Sequence, residues 1–157
     1  MERPVRSAYM CATAFGLYHL YINGRKVSDA CLAPGWTVYP KHLLYQIYDV
    51  TQMMKDDNTI EAVLGPGWYK GTVGYYGKSH HYGSHTAFLA MIKLTFDDGS
   101  VQYVMTDETW QGTYAKVLTS EIYNGETYDA LAVPKAGTLS VLSAMTRKVC
   151  VRRRADM

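Results

Sequence analysis

Apolar residues in this chain come in short runs bounded by glycine, asparagine and aspartate, and no helical period is sustained for long. Leu17-Tyr-His-Leu-Tyr-Ile22 is rich in β-forming residues and ends at Asn23-Gly24. That dipeptide tolerates the positive φ angles of a type I′ turn, which makes Arg25–Val27 the return strand. Tyr45–Val50 alternates, and Thr59–Leu64 predicts a second strand. Between them, Thr51–Asn58 reads as one helical turn followed by a polar turn. Thr86–Phe96 is long and apolar, runs into the turn Asp97-Asp-Gly-Ser100 and continues as Val101–Met105, which predicts a hairpin. Glu108–Trp110 and Lys116–Tyr123 supply further strands. Short strands at this spacing predict an all-β fold, an antiparallel, jelly-roll-like β-sandwich over residues 6–134.

Residues 65–85 break this pattern. They hold six glycines, Trp68, Tyr69, Tyr75, Tyr76, Tyr82 and three histidines. A loop this long in a compact domain carries function or is disordered, and its aromatic content argues against disorder. It is expected to lie over one end of the sandwich.

Composition narrows the class. The chain has 157 residues, 48% hydrophobic and 19% charged, so it suits one globular domain. Fourteen of its 20 aromatic residues are tyrosines, which combine a large contact area with a polar tip and suit strands and wet binding faces. Residues 1–134 carry a net charge of −3 and residues 135–157 a net of +5, giving the +2 of the whole. The acidic main part carries no nucleic-acid footprint, so no nucleic-acid partner is expected. No apolar run approaches the roughly 20 residues of a membrane span, and no membrane partner is expected. Met1-Glu-Arg-Pro4 lacks the apolar core of a signal peptide, so the expected location is cytoplasmic, with Cys11, Cys31 and Cys150 reduced.

From residue 135 the chain reads differently. No aromatic follows Tyr128, and Val151-Arg-Arg-Arg-Ala-Asp-Met157 is abrupt and basic. Two readings stand: a truncated or frame-shifted end of a larger protein, or a final strand with a basic tail.

The candidate chemistry is that of binding. Trp36 and Trp68 each follow Pro-Gly, so both sit at turns, where they either plug the end of the sandwich or stack under a sugar ring. Trp110, beside a strand, belongs to the core or a strand edge. The candidate carbohydrate contacts are Trp36, Trp68, Tyr69, Tyr75, Tyr76, His81 and Asn23. His80, His81 and His85 have no Cys, Asp or Glu nearby, so no metal site is expected of them. Asp56-Asp57-Asn58 and Asp97-Asp98-Gly99 lack the ligand spacing of a calcium loop. Glu126 and Asp129 are the nearest thing to paired carboxylates. Residues three apart on one strand point to opposite faces, so Glu126, Tyr128 and Asp129 are expected to be structural or interdomain residues rather than catalytic ones. No Gly-x-Ser-x-Gly and no phosphate loop is present, and no catalytic residue is assigned.

Seven motifs occur in order: Leu20-Tyr-Ile-Asn-Gly-Arg-Lys-Val27, Leu32-Ala-Pro-Gly-Trp-Thr-Val-Tyr39, Tyr45-Gln-Ile-Tyr-Asp-Val-Thr51, Leu64-Gly-Pro-Gly-Trp-Tyr-Lys-Gly71, Asp98-Gly-Ser100, Thr106-Asp-Glu-Thr-Trp110 and Tyr123-Asn-Gly-Glu-Thr-Tyr-Asp-Ala130. Together they resemble the N-terminal β-sandwich domain of bacterial α-L-rhamnosidases over residues 6–131. The resemblance implies an accessory domain of a glycoside hydrolase that takes part in recognising a rhamnose-containing glycan or in packing on the catalytic domain. A separate (α/α)6 barrel would carry the carboxylates of an inverting mechanism, so this chain alone is expected to be inactive. The alternatives are a free-standing carbohydrate-binding module and a structural domain with no ligand. Some related domains bind L-rhamnose through calcium, held by an Asp-Asn pair with a Pro-Gly-Trp tryptophan and a Gly-Pro-Gly carbonyl. The matching positions here are Ala12-Thr13, Trp36 and Pro66. Ala12-Thr13 supplies no carboxylate, so no cofactor is expected. Leu131 stands where the family often has an arginine.

Overall fold

The structure is a computed structural model that describes residues 4–74, 77–107, 109–114, 116–133 and 143–150. β1 (Val5–Phe15), β2 (Leu17–Ile22) and β3 (Arg25–Lys26) open the chain, and β4 (Gln46–Asp49) is followed by a 3-10 turn at Thr51–Met53. β5 (Asp57–Gly65) leads into one helical turn, α1 (Gly67–Lys70). Then come β6 (Ala87–Phe96), β7 (Val101–Met105), β8 (Gln111–Tyr114), β9 (Val117–Glu121), β10 (Gly125–Tyr128) and β11 (Ser143–Cys150).

Two sheets form, in strand order β4-β1-β6-β7 and β3-β2-β5-β11-β8, with β9 and β10 as a separate hairpin. Every strand pairing is antiparallel. The result is an all-β, antiparallel β-sandwich. The core lies between the two sheets, as alternation in the strands requires. In β6, residues Phe88, Ala90, Ile92, Leu94 and Phe96 are buried, while Leu89, Met91 and Lys93 face out. β1 runs beside it with Ala8, Met10, Ala12 and Ala14 inward. The register sets Ala14 against Phe88 and Ala8 against Leu94, so small residues leave room for large ones. Tyr18, Leu20 and Ile22 of β2 and Ile60, Ala62 and Leu64 of β5 close the core from the other sheet.

Turn chemistry sets the corners. Asn23 and Gly24 take φ of 53° and 76°, the pair of positive angles that a type I′ hairpin needs. Asn23 also anchors its surroundings: its Nδ2 donates to the Met53 carbonyl (2.9 Å) and Asn58 Oδ1 (3.0 Å), and its Oδ1 accepts from the Thr59 amide (3.0 Å). Gly16, where the chain passes from one sheet to the other, has φ 117°, and a Cβ there would run into the Gly65 carbonyl.

Three elements depart from the sequence expectation. β1, the longest strand among the described residues, is not marked by the local pattern of the sequence. The strand placed at Glu108–Trp110 begins instead at Gln111, because the Asp107 carboxylate accepts from the amide (2.9 Å) and hydroxyl (2.6 Å) of Thr109 and folds a turn there. Glu108 lies outside the described residues. The second Pro-Gly-Trp, Pro66–Trp68, expected as a plain turn, winds α1, with the Lys70 amide donating to the Pro66 carbonyl at 3.1 Å. The stretch beyond residue 134 contributes β11, whose backbone pairs with β5 and β8.

Candidate functional site

One end of the sandwich gathers aromatic rings from three separated stretches: the end of β1, the 33–39 loop and the 65–85 loop. The 33–39 loop is fixed at its root. The Tyr18 amide donates to the Ala33 carbonyl (2.9 Å), and Gln46 Nε2 donates to the Pro34 carbonyl (3.1 Å). Gln46 Oε1 lies 3.0 Å from the Tyr18 hydroxyl, so one side chain links the loop to the core. This root carries Trp36.

Trp36 stacks on Trp68, which α1 presents, with centroids 5.9 Å apart and planes within 6°. Trp36 remains 50% exposed. With one face on Trp68 and half its surface in solvent, its indole is a flat apolar platform with a rigid backing. Trp36 Nε1 donates to the Tyr82 hydroxyl at 3.4 Å. Beneath this pair, Tyr69 stacks on Phe15 (4.7 Å, 11°) and meets Tyr39 edge-on (5.0 Å, 79°), and Tyr39 packs on Tyr82 (4.9 Å). Gly83 lies against the Tyr69 ring, with no space for a side chain.

Burial among rings acts on the phenols. Burial, with Tyr82 and Tyr69 alongside, pushes the Tyr39 hydroxyl up to about 12. Burial and the neighbouring Tyr48 hydroxyl lift Tyr18 well above the ordinary phenol range. Both groups stay protonated in the fold while the unfolded chain ionises near pH 10, so their stabilisation is complete below about pH 10 and is lost above it. In urea titrations the unfolding midpoint is expected to fall as pH rises from about 10 toward 12, and to fall less steeply in Tyr39→Phe. An identical alkaline profile in that variant would remove Tyr39 from this role.

Of the candidate residues, the structure brings Trp36, Trp68 and Tyr69 together. His81 flanks Tyr82 (6.5 Å between rings), and its Nε2 meets the carbonyls of Lys78 (3.0 Å) and Val73 (3.3 Å). Two acceptors on one nitrogen mean that Nε2 holds the proton, so this histidine staples its own loop. Asn23 stands apart, beyond the opposite end of β2, and its amide is engaged by the bonds given above. Tyr75 and Tyr76 lie outside the described residues. Tyr39, Tyr82 and Phe15 complete the cluster without having been singled out; Tyr39 closes the same Pro-Gly-Trp motif that carries Trp36.

Glu126 and Tyr128 are exposed on β10, and the Asp129 carboxylate accepts from the Leu131 amide at 2.9 Å. The β9–β10 hairpin overlies the second sheet and is tied down by Glu121, whose carboxylate accepts from the Thr72 amide (2.8 Å). Under it runs a groove of about 400 Å³ lined by Leu17, Leu32, Val63, Val117 and Ile122.

The calcium ion that the resemblance brings with it does not fit these residues. Ala12 is buried in the core, the Thr13 hydroxyl donates to the Leu44 carbonyl (2.6 Å), and the Pro66 carbonyl already accepts from Lys70. Asn58 is likewise committed: it is 1% exposed, its Oδ1 accepts from the Lys55 amide (2.8 Å) and its Nδ2 donates to the Lys55 carbonyl (2.6 Å).

An antiparallel sandwich with a cluster of stacked aromatic rings at one end defines an all-β module, and comparison with known proteins gives its lineage. Residues 3–143 match the Alpha-L-rhamnosidase N-terminal domain, and the chain belongs to that family. It is 40% identical over 130 residues to an α-L-rhamnosidase of Streptomyces avermitilis, covering 82% of this chain and 12% of that protein. Among solved structures it is similar to the Streptomyces avermitilis α-L-rhamnosidase complexed with L-rhamnose, with a TM-score of 0.78, 40% identity and the same two coverages. It is also similar to the native enzyme from Aspergillus terreus, with a TM-score of 0.79 and 39% identity over 83% of this chain and 15% of that one. The chain thus spans 12–15% of the length of these relatives.

Proposed function

We propose that this chain is an accessory domain of an α-L-rhamnosidase that contributes a sugar-contacting platform for L-rhamnosides and is not hydrolytic by itself. The observation that carries this reading is the half-exposed Trp36 indole held flat on Trp68. A pyranose ring has an apolar C–H face that suits such a surface. The Tyr82 hydroxyl accepts from Trp36 Nε1 and keeps its own proton to donate to a sugar hydroxyl. Rhamnose is the sugar class favoured by the family and by the relative complexed with L-rhamnose. The contact is metal-free, because Ala12 and Thr13 offer no carboxylate. Hydrolysis needs two carboxyl groups across the scissile bond, and Asp129 is spent on a turn. That chemistry belongs to parts of the enzyme outside this chain.

Calorimetric titration with L-rhamnose, with and without calcium, tests this. The expected result is saturable binding with a Kd on the order of millimolar, indifferent to calcium and weakened about tenfold or more in Trp36→Ala. No heat at millimolar sugar overturns the proposal, and calcium dependence overturns its metal-free form.

A further inference from the structure

The outer face of the β4-β1-β6-β7 sheet is apolar where a solvated sheet face is ordinarily polar. The register aligns its side chains in rows. Ile47, Cys11, Met91 and Met105 stand side by side across all four strands. The next row is Asp49, Tyr9, Lys93 and Tyr103, and Leu89 and Val101 extend the surface along β6 and β7. Ile47 is 63% exposed, Leu89 59% and Tyr103 55%. Two charged residues within ten positions do little to solvate such a surface, and contiguous exposed apolar area on this scale marks an interaction site. The other sheet differs, since the β9–β10 hairpin of this same chain overlies part of its outer face.

We infer that this face is a docking surface for another domain of an α-L-rhamnosidase chain. The inference rests on family membership and not on sugar binding. The occupant follows from length: this chain corresponds to 12–15% of its relatives, so the larger part of such a polypeptide is available to cover it. A four-stranded surface with Ile, Leu, Met and Tyr and only one Asp and one Lys among these positions suits an apolar, intramolecular partner better than a sugar or a polyanion.

The chain carries its own reporter. Cys11 sits in the central apolar row and is partly exposed, while Cys31 is exposed elsewhere, beside the groove under the hairpin. The whole chain would replace the matching segment of the Streptomyces avermitilis enzyme, and iodoacetamide labelling of Cys11 would be followed by peptide mass spectrometry in the chimera and in the free chain. The expected result is a Cys11 rate slowed roughly tenfold or more in the chimera, with a free chain that sediments as a monomer and labels readily. Ile47→Lys with Met91→Lys should restore Cys11 labelling in the chimera. Equal Cys11 rates in both contexts overturn the inference. So does a dimeric free chain with Cys11 already protected, because a second copy is then the occupant. If the chimera does not fold, the same thiol is read on the free chain mixed with the Streptomyces avermitilis enzyme lacking that segment, where protection supports docking and unchanged labelling overturns it. Absence of rhamnose binding, measured separately, leaves this outcome untouched.

Discussion

Trp110→Ala is expected to cost about 3–5 kcal/mol of stability and to lower Tm by roughly 10–15 °C. Trp110 is only 9% exposed and packs on Phe88 (6.1 Å between centroids), which in turn meets Tyr18 edge-on at 5.4 Å. Truncation leaves a cavity against the Phe88 ring, and the sandwich cannot collapse into it without moving β6. The phenylalanine variant separates volume from polarity. Trp110 Nε1 is buried and meets no acceptor among the described residues. Leaving such a group unpaired costs about 1–3 kcal/mol, so Trp110→Phe loses some packing but also removes that penalty. Its net change should stay within about 1 kcal/mol by urea denaturation. A Phe variant as damaged as the Ala variant would show that the indole nitrogen has a partner.

Asn58→Ala is expected to cost on the order of 3 kcal/mol, or roughly 9 °C in Tm. Asn58 is buried, and its amide serves Lys55 twice and Asn23 once. Removing it leaves a backbone N–H, a backbone carbonyl and the Asn23 amide short of partners at once. The Asn23 turn should loosen with it, since Asn23 also holds Met53 and Thr59. Hydrogen exchange at Thr59 should accelerate in the variant, while β6 keeps its protection. Addition of calcium should leave the melting of the wild-type chain unchanged, because these oxygens are used inside the fold. A calcium-dependent rise in Tm would contradict that assignment.

What could be read from the sequence was local in origin. Asn23-Gly24 announces its turn because the φ requirement sits in two adjacent residues. Asp97–Ser100 does the same between β6 and β7, where Gly99 takes φ 79° and Asp98 accepts from the Ser100 amide at 2.8 Å. β1 escaped because its inward positions are largely alanine, at Ala8, Ala12 and Ala14, between Tyr9, Cys11 and Thr13. Alanine is a poor strand former and gives little contrast with such neighbours, so only pairing with β6 identifies the strand. The Pro-Gly turns pointed to Trp36 and Trp68, but no local rule brings Trp36 onto a ring 32 positions away. That contact depends on the anchoring of the 33–39 loop by Tyr18 and Gln46. Asn23 illustrates the converse: its motif made it a candidate contact, and its side chain is taken up by Met53, Asn58 and Thr59.

The chain has three tryptophans, so its indole N–H signals form a three-point map. Titrating ¹⁵N-labelled protein with L-rhamnose in calcium-free buffer should shift the Trp36 and Trp68 indole signals together and saturably. The Trp110 signal, from the buried core, should stay still. Movement of Trp110 alone, or no movement of Trp36 at saturating sugar, would contradict a sugar platform at this end of the sandwich.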